Sequence, residues 1–193
     1  MRYSPEHKDA TRERVLREAA RLIREHGPLG VGVADIMSRA GLTHGGFYAH
    51  FASKDALVAA AIARMFVGAQ RRFDGVDLAT YIDRYLSPAH RDERATGCPI
   101  PALASDLPRL SRGCRAAYAT GTRALTDRLA SELRARGHRG AAADTLAASV
   151  VAELVGALAL ARAEPDAARS DAVLAASRRS LRARLGLPRG GRS

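Results

Sequence analysis

The chain has 193 residues, 47% hydrophobic and 26% charged, with 31 Lys and Arg against 20 Asp and Glu. That apolar fraction excludes a disordered chain and supplies a sizeable core, for one compact domain or for a small module fused to a larger one. The net charge of +11 raises the question of a polyanionic partner, but its distribution is uneven.

Residues 1–55 carry nine basic and seven acidic side chains, residues 56–177 sixteen and thirteen, and residues 178–193 six and none. An arginine-rich terminus is compatible with simple solvation, so a nucleic-acid reading must rest on local residues. No uncharged apolar run reaches the ~18–20 residues that span a bilayer. The best stretch, Val150 to Ala161, holds Glu153 in its middle. A polar N-terminal stretch without a signal-peptide apolar run, together with only Cys98 and Cys114, predicts a soluble cytoplasmic protein with no disulfide framework.

Helical periodicity runs through the chain and no alternating strand emerges, so the expected fold class is all-α, with about nine helices in two tiers. Val15, Leu16, Ala19, Leu22 and Ile23 mark one face of a first helix that Gly27 and Pro28 end. A short second helix is expected from Ala34 to Ala40, with Ile36, Met37 and Ala40 inward and Gly41 as its stop. Thr43 is placed to cap a third, His44 to Phe51, and Ser53 a fourth, with Asp55 at its positive end and a stripe through Leu57, Ala61, Met65 and Phe66. Leu78 to Leu86 reads as a short helix, and SPAHRDERATGCPIP, with three prolines, as the longest loop. A short helix is expected from Pro101 to Leu107. Long helices follow over Ser111 to Arg136, Ala141 to Ala163 and Ser170 to Leu185. Gly113 and Gly121 weaken the first of these by about 1 kcal/mol each. The expected organisation is an N-terminal helical domain over 1–55, a second helical domain over 56–186, and a disordered basic tail over 187–193.

The segment VADIMSRAGLTHGGFYAHFASKDAL, residues 33–57, has the punctuation of a helix-turn-helix, two helices joined by a tight glycine-containing turn. In such a motif the second helix enters a major groove about 12 Å wide. His44-Gly45-Gly46 gives it a slim leading end, and Phe47 and Phe51, four apart, give it an inward anchor. Lys54 at the start of the next helix can hold a phosphate beside free backbone N–H groups, and Thr43, Tyr48 and His50 can donate further bonds. For Tyr48, His50, Lys54 and His44 a purely structural or solvated role stays open.

At Gly41-Leu42-Thr43, Phe47-Tyr48-Ala49-His50-Phe51 and Ser53-Lys54-Asp55-Ala56-Leu57 the sequence resembles the TetR family of transcriptional regulators, over about residues 10–57. The resemblance implies a DNA-binding N-terminal helical domain, a C-terminal domain that takes a small-molecule effector and dimerises through its last two helices, and release of operator DNA when the effector binds. It implies Thr43, Tyr48, His50 and Lys54 as backbone contacts and His44, Gly45 and Gly46 as base-facing positions. Val33 departs from the family pattern, standing where many relatives carry a phosphate-binding Ser or Thr.

Under that resemblance Leu146, Val150, Leu154, Leu158, Leu174 and Leu181 are expected in a two-fold dimer interface, with ordinary intrachain core as the alternative. Tyr81, Tyr85, Leu103, Leu107 and Tyr118 are candidates for an effector cavity, and all five are equally compatible with packing. Cys98, between Gly97 and Pro99 and ahead of a helix start, is a candidate exposed thiolate with Cys114 as its resolving partner, which would make the chain a repressor that senses oxidants or electrophiles; two unreactive thiols are the alternative. No HExxH, CxxC, Walker lysine or nucleophile elbow occurs, so neither catalysis, a metal nor a cofactor is expected. The expected partners are double-stranded operator DNA, a second copy of the chain and a small molecule, with no membrane. A nonspecific architectural DNA binder using the arginine tail is the remaining alternative.

Overall fold

A computed structural model describes residues 5–188. Among them are nine α-helices and no strand: α1 (Pro5–His26), α2 (Val33–Arg39), α3 (Lys54–Gln70), α4 (Leu78–Tyr85), α5 (Pro88–Asp92), α6 (Pro99–Leu103), α7 (Arg112–Ala135), α8 (Gly140–Ala163) and α9 (Ala167–Arg184). Three 3₁₀ segments, His44–Ala49, Arg71–Phe73 and Leu107–Arg109, join them. The expected all-α architecture is observed. The expected disordered tail lies outside the described residues from 189 onward, whereas Leu187 is buried and its N–H donates to the Arg182 carbonyl at 2.9 Å.

The described residues form two compact units, each assembled from two stretches of chain: up to Gly68 with Ala95–Thr122, and Ala69–Arg94 with Arg123 onward. In the first unit Val15, Ala19, Ile23, Ile36, Met37, Phe47 and Leu57 form a core with almost no exposure. Residues 95–122 belong to it because α6 packs on α1, and Arg24 donates to the Ala95 carbonyl at 3.2 Å. Two glycines with positive φ, Gly27 (76°) and Gly41 (69°), stop α1 and α2, as a residue without Cβ can.

The stretch read as the longest loop is shorter than expected. Ser87 caps α5 by accepting from the His90 N–H at 3.1 Å, with Pro88 at the first helical position, and Pro99 likewise opens α6. Proline suits that position because its missing N–H would have no helical partner there.

In the second unit α8 packs along α9, with α4 and α5 against them. Ser170 is buried at this junction. Its hydroxyl donates to the Ala161 carbonyl at 2.7 Å and accepts from Arg91 at 2.8 Å. Arg162 closes the same corner by donating to the His90 and Arg91 carbonyls at 3.0 and 3.1 Å.

Val150, Leu154, Leu158, Leu174 and Leu181, expected to meet a second copy, are each at most 2% exposed within the single chain. They are the core between α8 and α9, and only Leu146 is half-exposed. The opposite side of α8 is apolar but uncovered. Thr145, Ala148, Ala152, Ala159 and Ala163 are exposed along it, beside half-exposed Gly156, and Leu160 is 65% exposed. By length and composition α8 passes the test for a membrane-crossing helix, with a mean hydropathy of 1.7 over 18 residues, a third of them buried.

Candidate nucleic-acid interface

The second element of the expected helix-turn-helix is a 3₁₀ segment throughout its length, His44–Ala49, rather than an α-helix. Its i+3 bonds include Gly46 N–H to the Thr43 carbonyl at 3.1 Å and His50 N–H to the Phe47 carbonyl at 2.9 Å. Six residues with two early glycines are short and entropically costly for a full α-helix, and the tighter winding suits such a short piece. Phe47 is the anchor: it is 2% exposed, with its ring 5.8 Å from that of Phe51 at an interplanar angle of 24°. Gly46 faces Met37 of α2 closely enough that a Cβ would lie 3.8 Å from the Met37 methyl, whereas a Cβ on Gly45 would meet nothing within 4 Å.

With Phe47 turned inward and Gly46 against Met37, the remaining residues of the segment face outward. Thr43, His44, Gly45 and Ala49 are exposed, and Tyr48 is 73% exposed, held edge-on against Phe47 at 5.2 Å. Thr43 makes no capping bond with its side chain, contrary to expectation. Ser53 does act as a cap, accepting from the Ala56 N–H at 3.1 Å. Lys54 is therefore the first residue of α3, half-exposed, where free backbone N–H groups and the helix dipole favour an anion. Gly32, with no side chain to cap with, precedes α2, and Val33 begins it.

His50 is half-buried, with Nδ1 shielded from solvent and without a hydrogen-bond partner among the described residues. Burial lowers its proton affinity below the usual histidine range, and the nearby Lys8 and Arg12 lower it further. These two α1 cations were not singled out from the sequence. Arg12 lies over the Phe51 ring at 5.0 Å, and its guanidinium and the Lys8 ammonium add positive potential beside His50. Their signal was the four-residue spacing, which puts both on one face of α1. The surface thus joins a slim exposed segment, hydroxyl donors and cations from α1 and α3, a set suited to phosphates and base edges.

The candidate effector residues divide between the two units. Leu103 is buried and Leu107 and Tyr118 half-buried in the first unit, where the Tyr118 hydroxyl donates to the Ile100 carbonyl at 3.3 Å. Burial, and then the Cys98 sulfur, raise that phenol to about 12. Tyr81 and Tyr85 line a cavity in the second unit whose wall contains none of the other three.

Cys98 and Cys114 are 4% and 0% exposed, so neither offers the exposed thiolate expected. Cys98, the buried residue just before α6, lies near the Tyr118 phenol, and the Cys114 sulfur accepts from the Ser111 hydroxyl at 3.3 Å. No cluster of metal-ligating side chains occurs among the described residues.

A slim, outward-facing segment set by a tight turn against a short helix, and followed by a cation-led helix, defines a helical DNA-binding regulator. Residues 15–61 match the family model for bacterial regulatory proteins of the tetR family, and residues 77–176 match the C-terminal domain model of LmrA/YxaF-like transcriptional regulators. The chain belongs to the TetR family of transcriptional regulators.

Among solved structures it is similar to reduced Escherichia coli NemR, at 22% identity and a TM-score of 0.75 over 90% of this chain and 96% of that one. It is also similar to a TetR transcriptional regulator from Chloroflexus aurantiacus, at 27% and 0.74 over 91% and 96%. A regulator from Saccharomonospora viridis solved in complex with choline aligns at 20% and 0.67 over 90% and 96%. No curated protein sequence matches the chain.

Proposed function

We propose that this DNA-binding regulator is a repressor that holds a palindromic operator as a homodimer and releases it when a small organic molecule binds. The observation that carries the DNA contact is the outward set of Thr43, His44, Tyr48 and Lys54 around the buried Phe47 anchor. Thr43, Tyr48, His50 and Lys54 serve as phosphate contacts, and His44 and Gly45 face the bases, whereas Gly46, expected there too, is turned toward Met37 and lets the segment sit close to α2. Lys8 and Arg12 strengthen the local field.

The uncharged, exposed side of α8 supports self-association, since an apolar strip of this length is costly to leave in water. Two copies related by a two-fold axis would set their recognition segments on half-sites about 34–36 Å apart, which requires a palindrome. Repression follows the family's usual mode, and effector binding is supported by the tyrosine-lined cavity of the second unit and by the small molecule held in the choline-bound neighbour.

Selection of bound fragments from genomic DNA with the purified protein tests this reading. One palindrome is expected, with Tyr48→Ala and Lys54→Ala each lowering affinity for it about tenfold. Lys54→Ala should also make the slope of log affinity against log salt less steep by about 1 per lysine contact. Unchanged affinity in both variants would overturn the proposed contacts, and broad binding without sequence preference would favour an architectural role.

A further inference from the structure

In the first unit α3 and α7 lie side by side and run the same way. Near their starts the Cys114 thiol donates to the Asp55 carbonyl at 3.8 Å. Further along, Tyr118 meets the Phe66 ring edge-on, and that ring lies against Gly121. A serine fixes each start. Ser53 accepts from the Ala56 N–H and Ser111 from the Cys114 N–H at 3.4 Å, so Lys54 opens α3 and Arg112 opens α7. Axes of packed helices are about 8–10 Å apart, which sets these two cations at the same end of one helix pair.

The start of α7 carries charge of one sign. Arg109, Arg112 and Arg115 recur at every third residue and are all exposed, and the first turn of α7 has no acid. Arg109 and Arg115 are steadied by backbone, donating to the Ser105 and Leu110 carbonyls at 3.4 and 3.2 Å. Among the described residues no carboxylate pairs with any of the three arginines or with Lys54. Asp106 is turned toward Gly27 at the end of α1, and Asp55, exposed in the first turn of α3, offsets one of the four positive charges.

We propose that the start of α7 is a further DNA-binding surface, on which Arg112, with Arg109 and Arg115 beside it, holds the sugar–phosphate backbone next to the phosphate taken by Lys54. Cations spread along an exposed ridge match a polyanion better than a single small anion. Each DNA strand carries one phosphate per about 3.4 Å of helix axis, so a strand passing Lys54 offers further phosphates within reach of an arginine. Guanidinium pairs with phosphate through two parallel hydrogen bonds. Such contacts fix register and add affinity without choosing sequence. The surface belongs to the second stretch of the first unit, well beyond the helix-turn-helix in the chain. The inference rests on the proposed function only in taking the Lys54 end of α3 as turned toward DNA.

Fluorescence anisotropy of the full chain with a mixed-sequence duplex, and with the fragment selected from genomic DNA, tests it between about 50 and 200 mM salt. R112Q is expected to weaken both complexes about fivefold and to make the slope of log affinity against log salt less steep by about 1. R112K, which keeps the charge, should restore most of the affinity. R139Q, at an exposed arginine of the second unit, should bind both DNAs as the wild type does. All three variants should retain the wild-type helical spectrum. Wild-type affinity and slope in R112Q, a loss confined to the selected fragment, no recovery in R112K, or an equal change in R139Q would overturn the inference. K54A separates the two readings. Weakening by K54A alone removes the α7 surface and leaves the Lys54 contact standing, weakening by R112Q alone does the reverse, and unchanged binding in both removes the two together.

Discussion

His90 sits in α5 with Nδ1 2.7 Å from the Tyr85 carbonyl oxygen, and it is only 6% exposed. Burial lowers its pKa to about 4. The bond to Tyr85 opposes the shift, while Arg72 and Arg162 add to it. An unfolded chain takes up the proton near pH 6.5 and the folded one only near 4, so protonation favours unfolding between these values. Stability is whole above pH 6.5 and falls as the pH drops through that window, by about 3 kcal/mol from this residue. Urea unfolding at pH 7.0 and 4.5 should register that loss in the wild type, and His90→Gln, which keeps a donor but does not titrate, should show a smaller loss. Equal losses in both proteins would assign the pH dependence elsewhere. His50 was read from the sequence as a phosphate contact, and its depressed proton affinity means that near neutral pH it would act there as a hydrogen-bond donor more than as a cation.

Between elements, Gly121 changes meaning once packing is known. In the sequence it only weakens α7. In the first unit a Cβ there would lie 2.1 Å from Cγ of Phe66, so the α3 ring rests directly on bare α7 backbone. Tyr118, one turn earlier on α7, meets the same ring edge-on at 5.7 Å. Gly121→Ala is therefore expected to destabilise the protein by about 1–3 kcal/mol despite the better helix propensity of alanine. The cost should shrink in a Phe66→Leu background, and a double-mutant cycle of denaturation midpoints measures this; additive costs would show that the two residues do not press on each other. The proline-rich stretch after Leu86 carries a similar lesson. Ser87-Pro88 is a legible helix start, but the count of three prolines obscured it.

For the whole molecule the open matter is the second copy. The leucines that read as an interface stripe are spent on the α8–α9 core, which leaves the alanine-lined side of α8 as the uncovered apolar surface. Ala152 is exposed on that side and Asp144, Glu153 and Arg162 lie off it, so a single long cation at 152 should disrupt close helix contact. Ala152→Arg is expected to sediment as a monomer with an unchanged helical spectrum and to lose about 100-fold or more in operator affinity, because two half-sites would no longer be bound together. A dimeric Ala152→Arg would move the interface to another face.

Much of this protein is determined by local rules in the sequence. Periodic apolar residues in α1, α3 and α7–α9, the glycine stops at Gly27 and Gly41, and the Ser53 cap fix element type and place, because each depends on neighbours within a few positions. The Phe47-to-Lys54 pattern made the candidate DNA surface legible for the same reason: one buried anchor dictates which neighbours face out. What only the tertiary structure decided are matters of partnership. These are the core role of Leu154 and Leu181, the burial of Cys98 and Cys114, and the ring against Gly121. A helix stripe shows that a side chain will be buried, but which surface buries it depends on contacts far apart in the chain.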